Sequence, residues 1–148
     1  MSLKAQIQND MKDAMKAGDK DRLKVVRLLL AAVKQVEIDR RVTIDDAAVL
    51  GVLDKMVKQR RDSISQFRAA GRDDLADVEV AEISVLETYM PEPLSAAEID
   101  TLVDQAIADS GALGIRDMGK VMGRLKIKVQ GRADMGSLGA MVKARLSQ

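Results

Sequence analysis

The chain has 148 residues, a formal net charge of +1 and 47% hydrophobic residues, enough for one ordinary domain or two small ones. It contains no Cys and no His, which excludes disulfides, thiolate metal sites and a Cys nucleophile, and removes the commonest general base. No apolar run approaches the roughly 20 residues of a membrane span, and the first residues lack the apolar core of a signal peptide. We therefore expect a cytoplasmic protein that does not contact membranes.

Apolar residues recur with helical spacing throughout the first 90 residues, between glycines and capping residues that mark helix ends. The pattern predicts helices at 2–17, 19–41, 44–70 and 73–90. We expect Thr43 to cap the third helix, and Asp73 or Asp74 to cap the fourth. The predicted buried stripes include Met15 in the first helix and Val78 in the fourth.

Pro91 and Pro93 form a short, stiff spacer that ends the fourth helix. Ser95 and Glu98 then have the spacing of a capping box, and three further helices follow, the last with an Asp134 cap. No stretch alternates with period two for long enough to predict a strand. The sequence thus predicts an all-α protein: a four-helix bundle-like domain at 1–90, a Pro-rich hinge at 91–95, and a three-helix domain at 96–148.

Charge is arranged in blocks along the chain. Residues 1–72 carry a net +6, residues 73–115 carry −11 with no Lys or Arg, and residues 116–148 carry +6. Lys120 and Arg124 lie four residues apart and share a helix face. In the second helix, one side is likewise lined by Lys20, Lys24, Arg27 and Lys34. Such faces either follow nucleic-acid phosphates, or are solvated or paired with the acidic helices; composition alone favours the second explanation.

Aromatic residues are almost absent, with one Phe, one Tyr and no Trp. Single-strand binders stack bases on aromatic rings, so any RNA bound here should be recognised by its folded backbone.

The residues that could act in catalysis or ligand binding can each be explained by a structural role. Arg60 interrupts the apolar stripe of the third helix, and Glu79 and Glu82 lie near the inner side of the fourth. A partly buried ion pair between Arg60 and Glu82 explains them better than a substrate-binding arginine does. Paired aspartates occur at helix starts, where they complement the helix dipole, and the glycine-rich segment 117–134 lacks phosphate-loop spacing. We predict no catalytic residue, no metal site and no cofactor.

Three stretches carry a resemblance: KQRRDSISQF (58–67), EVAEISVLETYMPEPLS (79–95) and DMGKVMGRLKIKVQGRAD (117–134). Together they resemble the GatB/YqeY family, specifically its free-standing YqeY-like members, over essentially the full chain. The resemblance implies an all-helical fold like the tail of GatB, the tRNA-engaging subunit of the glutamine-dependent tRNA amidotransferase.

In that enzyme the chemistry lies outside the tail. A family label of carbon–nitrogen ligase with glutamine as amido-N-donor would be inherited from the full-length enzyme. One departure is visible: Lys126-Ile127 stands where relatives often have an apolar residue and Pro, which favours a longer sixth helix.

Two hypotheses for function follow. The first is a tRNA-binding accessory module without activity of its own, with phosphates bound by Lys120, Arg124, Lys126, Lys128 and Arg132. The alternative is a module that docks, through its Met/Ala/Gly-rich final helices, on a protein subunit of the translation or amidotransferase machinery. An enzyme dependent on glutamine and ATP is the least favoured, because the chain has no residues left to supply either reaction.

Overall fold

A computed structural model describes residues 1–147. Helices and connecting turns make up this part of the chain, without a strand, which confirms the all-α class. No helix within it is long and apolar enough to cross a membrane. The helices are α1 Leu3–Ala17, α2 Lys20–Arg40, α3 Asp46–Ala69, α4 Asp73–Glu87, α5 Ala96–Ser110, α6 Met118–Val129 and α7 Met135–Leu146, with a 3₁₀ turn at Ile115–Asp117.

The chain forms two compact units, an N-terminal unit Met1–Met90 and a C-terminal unit from Pro91 onward. Each unit has its own core of aliphatic side chains. Fully buried residues of the N-terminal core include Ile7, Val26, Leu29, Val33, Val49, Leu53 and Leu86. Those of the C-terminal core include Val103, Val121, Leu125, Val129 and Val142.

Three helix ends meet at one end of the N-terminal unit. The Leu3 amide donates to the Asp46 carboxylate at 2.9 Å, and Lys4 Nζ lies 2.7 Å from Glu37 Oε1. The start of α1, the end of α2 and the start of α3 are therefore close together. It follows that α2 runs towards this end of the unit and α3 runs away from it.

Helix α4 returns along α3 and also lies beside α2. Arg60 Nε of α3 is 2.9 Å from Glu82 Oε2 of α4, and Lys24 Nζ of α2 is 3.8 Å from Glu82 Oε1. Because α4 runs back from the far end of α3, it has the same direction as α2. The two helices thus lie side by side and parallel, with Lys24 and Glu82 at the same level.

Two predicted caps were wrong. Helix α3 begins at Asp46, so Thr43 lies outside its first turn, and Asp45 is the N-cap that accepts from the amide three residues on. Helix α4 begins at Asp73 after Arg72, and no side chain caps it. Asp74 instead accepts two hydrogen bonds of 3.1 Å from the Arg72 guanidinium, so this carboxylate neutralises a neighbouring charge.

Other helix ends follow the predicted signals. Ser95 and Glu98 form both hydrogen bonds of the capping box at the start of α5. Gly18 and Gly111 end α1 and α5 in the left-handed conformation, with φ of 70° and 67°. These local signals need no tertiary partner, which explains why they could be read from the sequence.

Two residues predicted to be buried are half exposed: Met15 at 51% and Val78 at 52%. Ile7 and Ala14, seven residues apart, set the buried face of α1, and Met15 is turned about 100° from Ala14. In α4, Ala76 is fully buried and Val78 is turned about 200° away from it. The rest of each predicted stripe does face the core: Ile7 and Leu86 are buried, and Leu3, Met11 and Met90 pack against the core. Only Met15 and Val78 lie off the buried face.

Candidate nucleic-acid interface

Helix α6 carries three cations in a row beside its buried face. Val121, Leu125 and Val129 are buried at four-residue intervals. Lys120, Arg124 and Lys128 each precede one of them by one residue, so they form an exposed row turned about 100° from the core. Successive cations in this row are spaced about 6 Å apart along the helix axis.

The outward side of α6 is open next to this row. Ile127 is 84% exposed, and Lys126 is exposed on the opposite flank of the helix from Lys128. A Cβ added at Gly119 or Gly123 would meet no neighbouring atom within 4 Å. The helix continues unbroken through Lys126 and Ile127 to Val129, so the row lies on one rigid element.

The cations of α6 are largely uncompensated. Lys120 Nζ lies 3.9 Å from Asp117 Oδ1, an exposed and long pair that contributes little. Arg124, Lys126 and Lys128 take part in no salt bridge within residues 1–147. This face of α6 therefore presents a concentrated positive charge to solvent.

The Asp117 carboxylate stabilises the turn before α6. The Leu113 amide donates to Asp117 Oδ2 at 2.9 Å and is the main cause of the lowered pKa of that carboxyl. The charges of Lys120 and Arg116 lower its pKa further. The carboxylate thus fixes the loop between α5 and α6, and it offsets the Lys120 charge only weakly.

Arg132, the fifth residue predicted to bind RNA, has a structural partner. Its Nε donates to the Glu92 carbonyl at 3.0 Å, and its own carbonyl accepts from the Leu94 amide at 2.9 Å. Its guanidinium also lies 4.0 Å from Glu98. Arg132 thereby holds residues 92–94 against the turn between α6 and α7, so its side chain is less free than those of the α6 row.

The acidic face of α5 pairs with α7. The guanidinium of Arg145 lies 2.5 Å from Asp100 Oδ1 and 2.5 Å from Asp104 Oδ1. The alternative explanation, in which acidic helices neutralise the basic tail, therefore holds for Arg145. It does not describe Lys120 or Arg124.

Arg60 is enclosed between α3 and α4. Its side chain is 14% exposed, its Nε lies 2.9 Å from Glu82 and 3.9 Å from Glu79, and Nη1 donates to the Met56 carbonyl at 3.3 Å. With its donors directed at these groups, the arginine joins two helices of the core. In residues 1–147, no three acidic side chains are grouped so that they could hold a metal ion.

The sequence matches the family described as "Yqey-like protein" over residues 4–146. The chain belongs to this family. Relatives include three fungal proteins, each named "Altered inheritance of mitochondria protein 41, mitochondrial". The identity to this YqeY-like protein is 33% over 129 residues for Pyrenophora tritici-repentis, 36% over 106 for Vanderwaltozyma polyspora and 40% over 96 for Eremothecium gossypii.

The alignments cover unequal shares of the proteins compared. They include 86%, 70% and 64% of the YqeY-like chain, and 71%, 57% and 52% of the three relatives in the same order. The chain thus spans little more than half the length of the second and third relatives.

The prediction of a cytoplasmic protein is contradicted by this comparison, because the relatives are named as mitochondrial proteins. The prediction rested on the missing apolar core of a signal peptide. That feature tests for secretion, and it carries no information about an organelle.

One surface of the YqeY-like protein was missed in the sequence. Leu113 is almost fully exposed in the turn before α6, and Ile115 beside it is half exposed. The turn is nevertheless ordered, because Asp117 binds the Leu113 amide and Gly111 ends α5. The two glycines at 111 and 114 indicated a turn, but they could not indicate which way its apolar side chains point.

Proposed function

We propose that this YqeY-like protein is a non-catalytic accessory module that binds RNA, with tRNA as its ligand, through the outward face of α6. The observation that carries the proposal is the row of exposed cations Lys120, Arg124 and Lys128, which lack strong carboxylate partners in the described chain. The resemblance of the chain to the tail of GatB, which engages tRNA, supports tRNA as the class of ligand.

The geometry suits a folded RNA backbone. Cations about 6 Å apart on one rigid helix can each meet a different phosphate of the same strand. Gly119 and Gly123 leave the helix surface low beside the row, so a sugar–phosphate backbone can approach it closely. Neither Phe67 nor Tyr89 lies on α6, so base stacking plays no part in this mode of binding.

The test is filter binding of total tRNA by the whole chain across a series of salt concentrations. Each phosphate contact contributes a slope of about −0.9 for a duplex, or about −0.7 for a single strand, to log K against log salt. The double variant Lys120→Ala/Arg124→Ala should therefore weaken binding and make the slope shallower by about 1.4 to 1.8.

A matched control is present on α1. Lys12 and Lys16 are exposed, four residues apart, and without salt bridges in the described residues. The variant Lys12→Ala/Lys16→Ala removes the same charge and should leave affinity and slope near those of the parent. Equal effects of the two variants, or binding that ignores salt, would refute the proposal.

A second function is favoured by a different observation. Ile127 lies in the middle of the α6 face at 84% exposure, and phosphate contacts do not use an exposed isoleucine. A protein subunit with an apolar pocket and an acidic rim would use both the isoleucine and the cations. If a protein subunit is the ligand, it should co-purify with the parent chain in stoichiometric amount and without RNA, and Ile127→Ser should abolish this co-purification. If RNA is the ligand, Ile127→Ser should leave tRNA binding unchanged.

A further inference from the structure

The outer face of α2 contains a shallow depression of about 410 Å³. It is lined by two leucines and three cations, namely Lys20, Leu23, Lys24, Arg27 and Leu28. Leu28 is 42% exposed, and neither Lys20 nor Arg27 forms a salt bridge within residues 1–147. The depression is thus apolar, basic and unoccupied by any other element of its own unit.

The neighbouring helix α4 has the opposite character. It contains no Lys or Arg, and its outward residues include Asp73, Asp77 and the half-exposed Val78, while Asp74 is paired with Arg72. An exposed valine next to aspartates matches a depression in which leucines are framed by cations. Because α2 and α4 lie side by side, each N-terminal unit carries both halves of this complementary pair.

We propose that the N-terminal unit forms a two-fold dimer of this chain, in which α2 of each copy packs on α4 of the other. In a two-fold interface the same patch is used by both copies, so it must be self-complementary. A two-fold axis parallel to the two helices brings the basic α2 of each copy against the acidic α4 of the other. An axis across the helices would place α2 on α2 and α4 on α4, with like charges opposed.

The positions of the residues along the helix axes are consistent with a two-fold axis parallel to the helices. Lys24 and Glu82 are level, and α2 and α4 run in the same direction, so Lys20 and Val78, each four residues earlier, are level too. A two-fold axis along the helices keeps every residue at its own level. Lys20 of one copy therefore comes opposite Asp77 and Val78 of the other.

The charge of the unit favours a second copy over RNA at this surface. Residues 1–90 contain 16 Lys and Arg and 16 Asp and Glu, so the unit is neutral with its charges separated between helices. A nucleic acid on α2 would lie next to the aspartates of α4 and be repelled by them. A second copy meets each helix with the opposite charge.

The dimer should be weak. Helix α4 is about 22 Å long and the helix pair about 20 Å wide, so each copy offers on the order of 450 Å². A standard interface buries about 800 Å² per partner. The dimer should therefore appear only as concentration rises, and salt should weaken it because its charge pairs lie at the surface.

The test is sedimentation velocity on the full chain from micromolar to millimolar concentration. Lys20→Glu and Asp77→Lys should each raise the dimer dissociation constant by about tenfold or more, because each opposes like charges at both contacts. An equimolar mixture of the two variants should restore the dimer. In the mixed dimer the new glutamate meets the new lysine, and the remaining lysine meets the remaining aspartate.

Lys12→Glu, a charge reversal at an exposed lysine of α1, is the matched control and should leave the dissociation constant unchanged. Circular dichroism of each variant should show parental helix content. A chain that stays monomeric throughout, or a mixture that does not recover the dimer, would overturn the proposal. So would a stronger dimer when Lys20→Glu is mixed with the parent chain, since that outcome indicates α2 on α2. None of these outcomes depends on RNA binding by α6.

Discussion

At the scale of single residues, Tyr89 links the end of the N-terminal unit to α1. Its hydroxyl donates to Asp10 Oδ2 at 2.7 Å, and burial together with this hydrogen bond raises the pKa of Tyr89 to about 12. The ordinary pKa of tyrosine is about 10, so the folded state holds the proton more tightly than the unfolded state. The resulting stabilisation is complete below pH of about 10 and is lost as the pH rises through about 12.

Tyr89→Phe should lower the free energy of unfolding by about 1 to 2 kcal/mol at neutral pH, since a buried hydrogen bond to a carboxylate is lost. It should also flatten the fall in stability between pH of about 10 and 12 relative to the parent. Urea unfolding followed by circular dichroism across this range measures both effects. Asp10→Ala removes the acceptor of the same bond, so the two substitutions combined should cost less than the sum of their separate effects.

At the scale of elements, α2 ends in a left-handed residue that is not a glycine. Arg41 has φ 56°, and it is the one residue other than glycine with positive φ in the described chain. The amides of Arg41 and Val42 donate to the carbonyls of Ile38 and Glu37, which closes the helix. An L side chain is strained in this conformation, whereas glycine is not.

Arg41→Gly should therefore raise the free energy of unfolding by about 0.5 to 1 kcal/mol, after allowance for the greater freedom of glycine in the unfolded chain. Arg40→Gly removes the same charge one residue earlier, inside the helix, and should lower stability by about 1 kcal/mol. Urea unfolding of the pair isolates the backbone conformation from the charge. Two losses of equal size would show that the left-handed conformation carries no strain.

How far an element could be predicted depended on the range of its interactions. The capping box at Ser95 and the stop at Gly111 involve neighbours in sequence, and the structure confirms them. The cap at Thr43 was wrong because Asp45, directly before the first residue of the helix, offers a carboxylate as the N-cap. The partners of Arg145 lie 41 and 45 residues away, so no local pattern could distinguish this arginine from Arg124 in the basic tail.

At the scale of the whole molecule, two separate aliphatic cores stabilise two units. Leu29 is fully buried in the N-terminal core and Leu125 in the C-terminal core. Leu29→Ala and Leu125→Ala should each lower stability by about 2 to 5 kcal/mol, through lost burial and the cavity left behind. Each substitution should speed amide hydrogen exchange in the helices of its own unit.

Hydrogen exchange read by mass spectrometry distinguishes the units directly. With Leu125→Ala, peptides from α5, α6 and α7 should exchange faster while those from α1 to α4 keep parental rates. The reverse pattern should follow from Leu29→Ala. Faster exchange in all seven helices with either variant would show that the two cores unfold as one cooperative body.

The two hydrogen bonds of Arg132 to residues 92 and 94 make the positions around the two prolines differ in how well they tolerate an inserted residue. Glu92 and Leu94 are both hydrogen-bonded to Arg132, so this stretch is part of the C-terminal unit and not a free tether. A residue inserted after Met90 leaves both bonds in place, whereas one inserted between Glu92 and Leu94 changes their register and breaks at least one. Lineages that lengthen this junction should therefore do so before Pro91, and fusion proteins should be joined there as well.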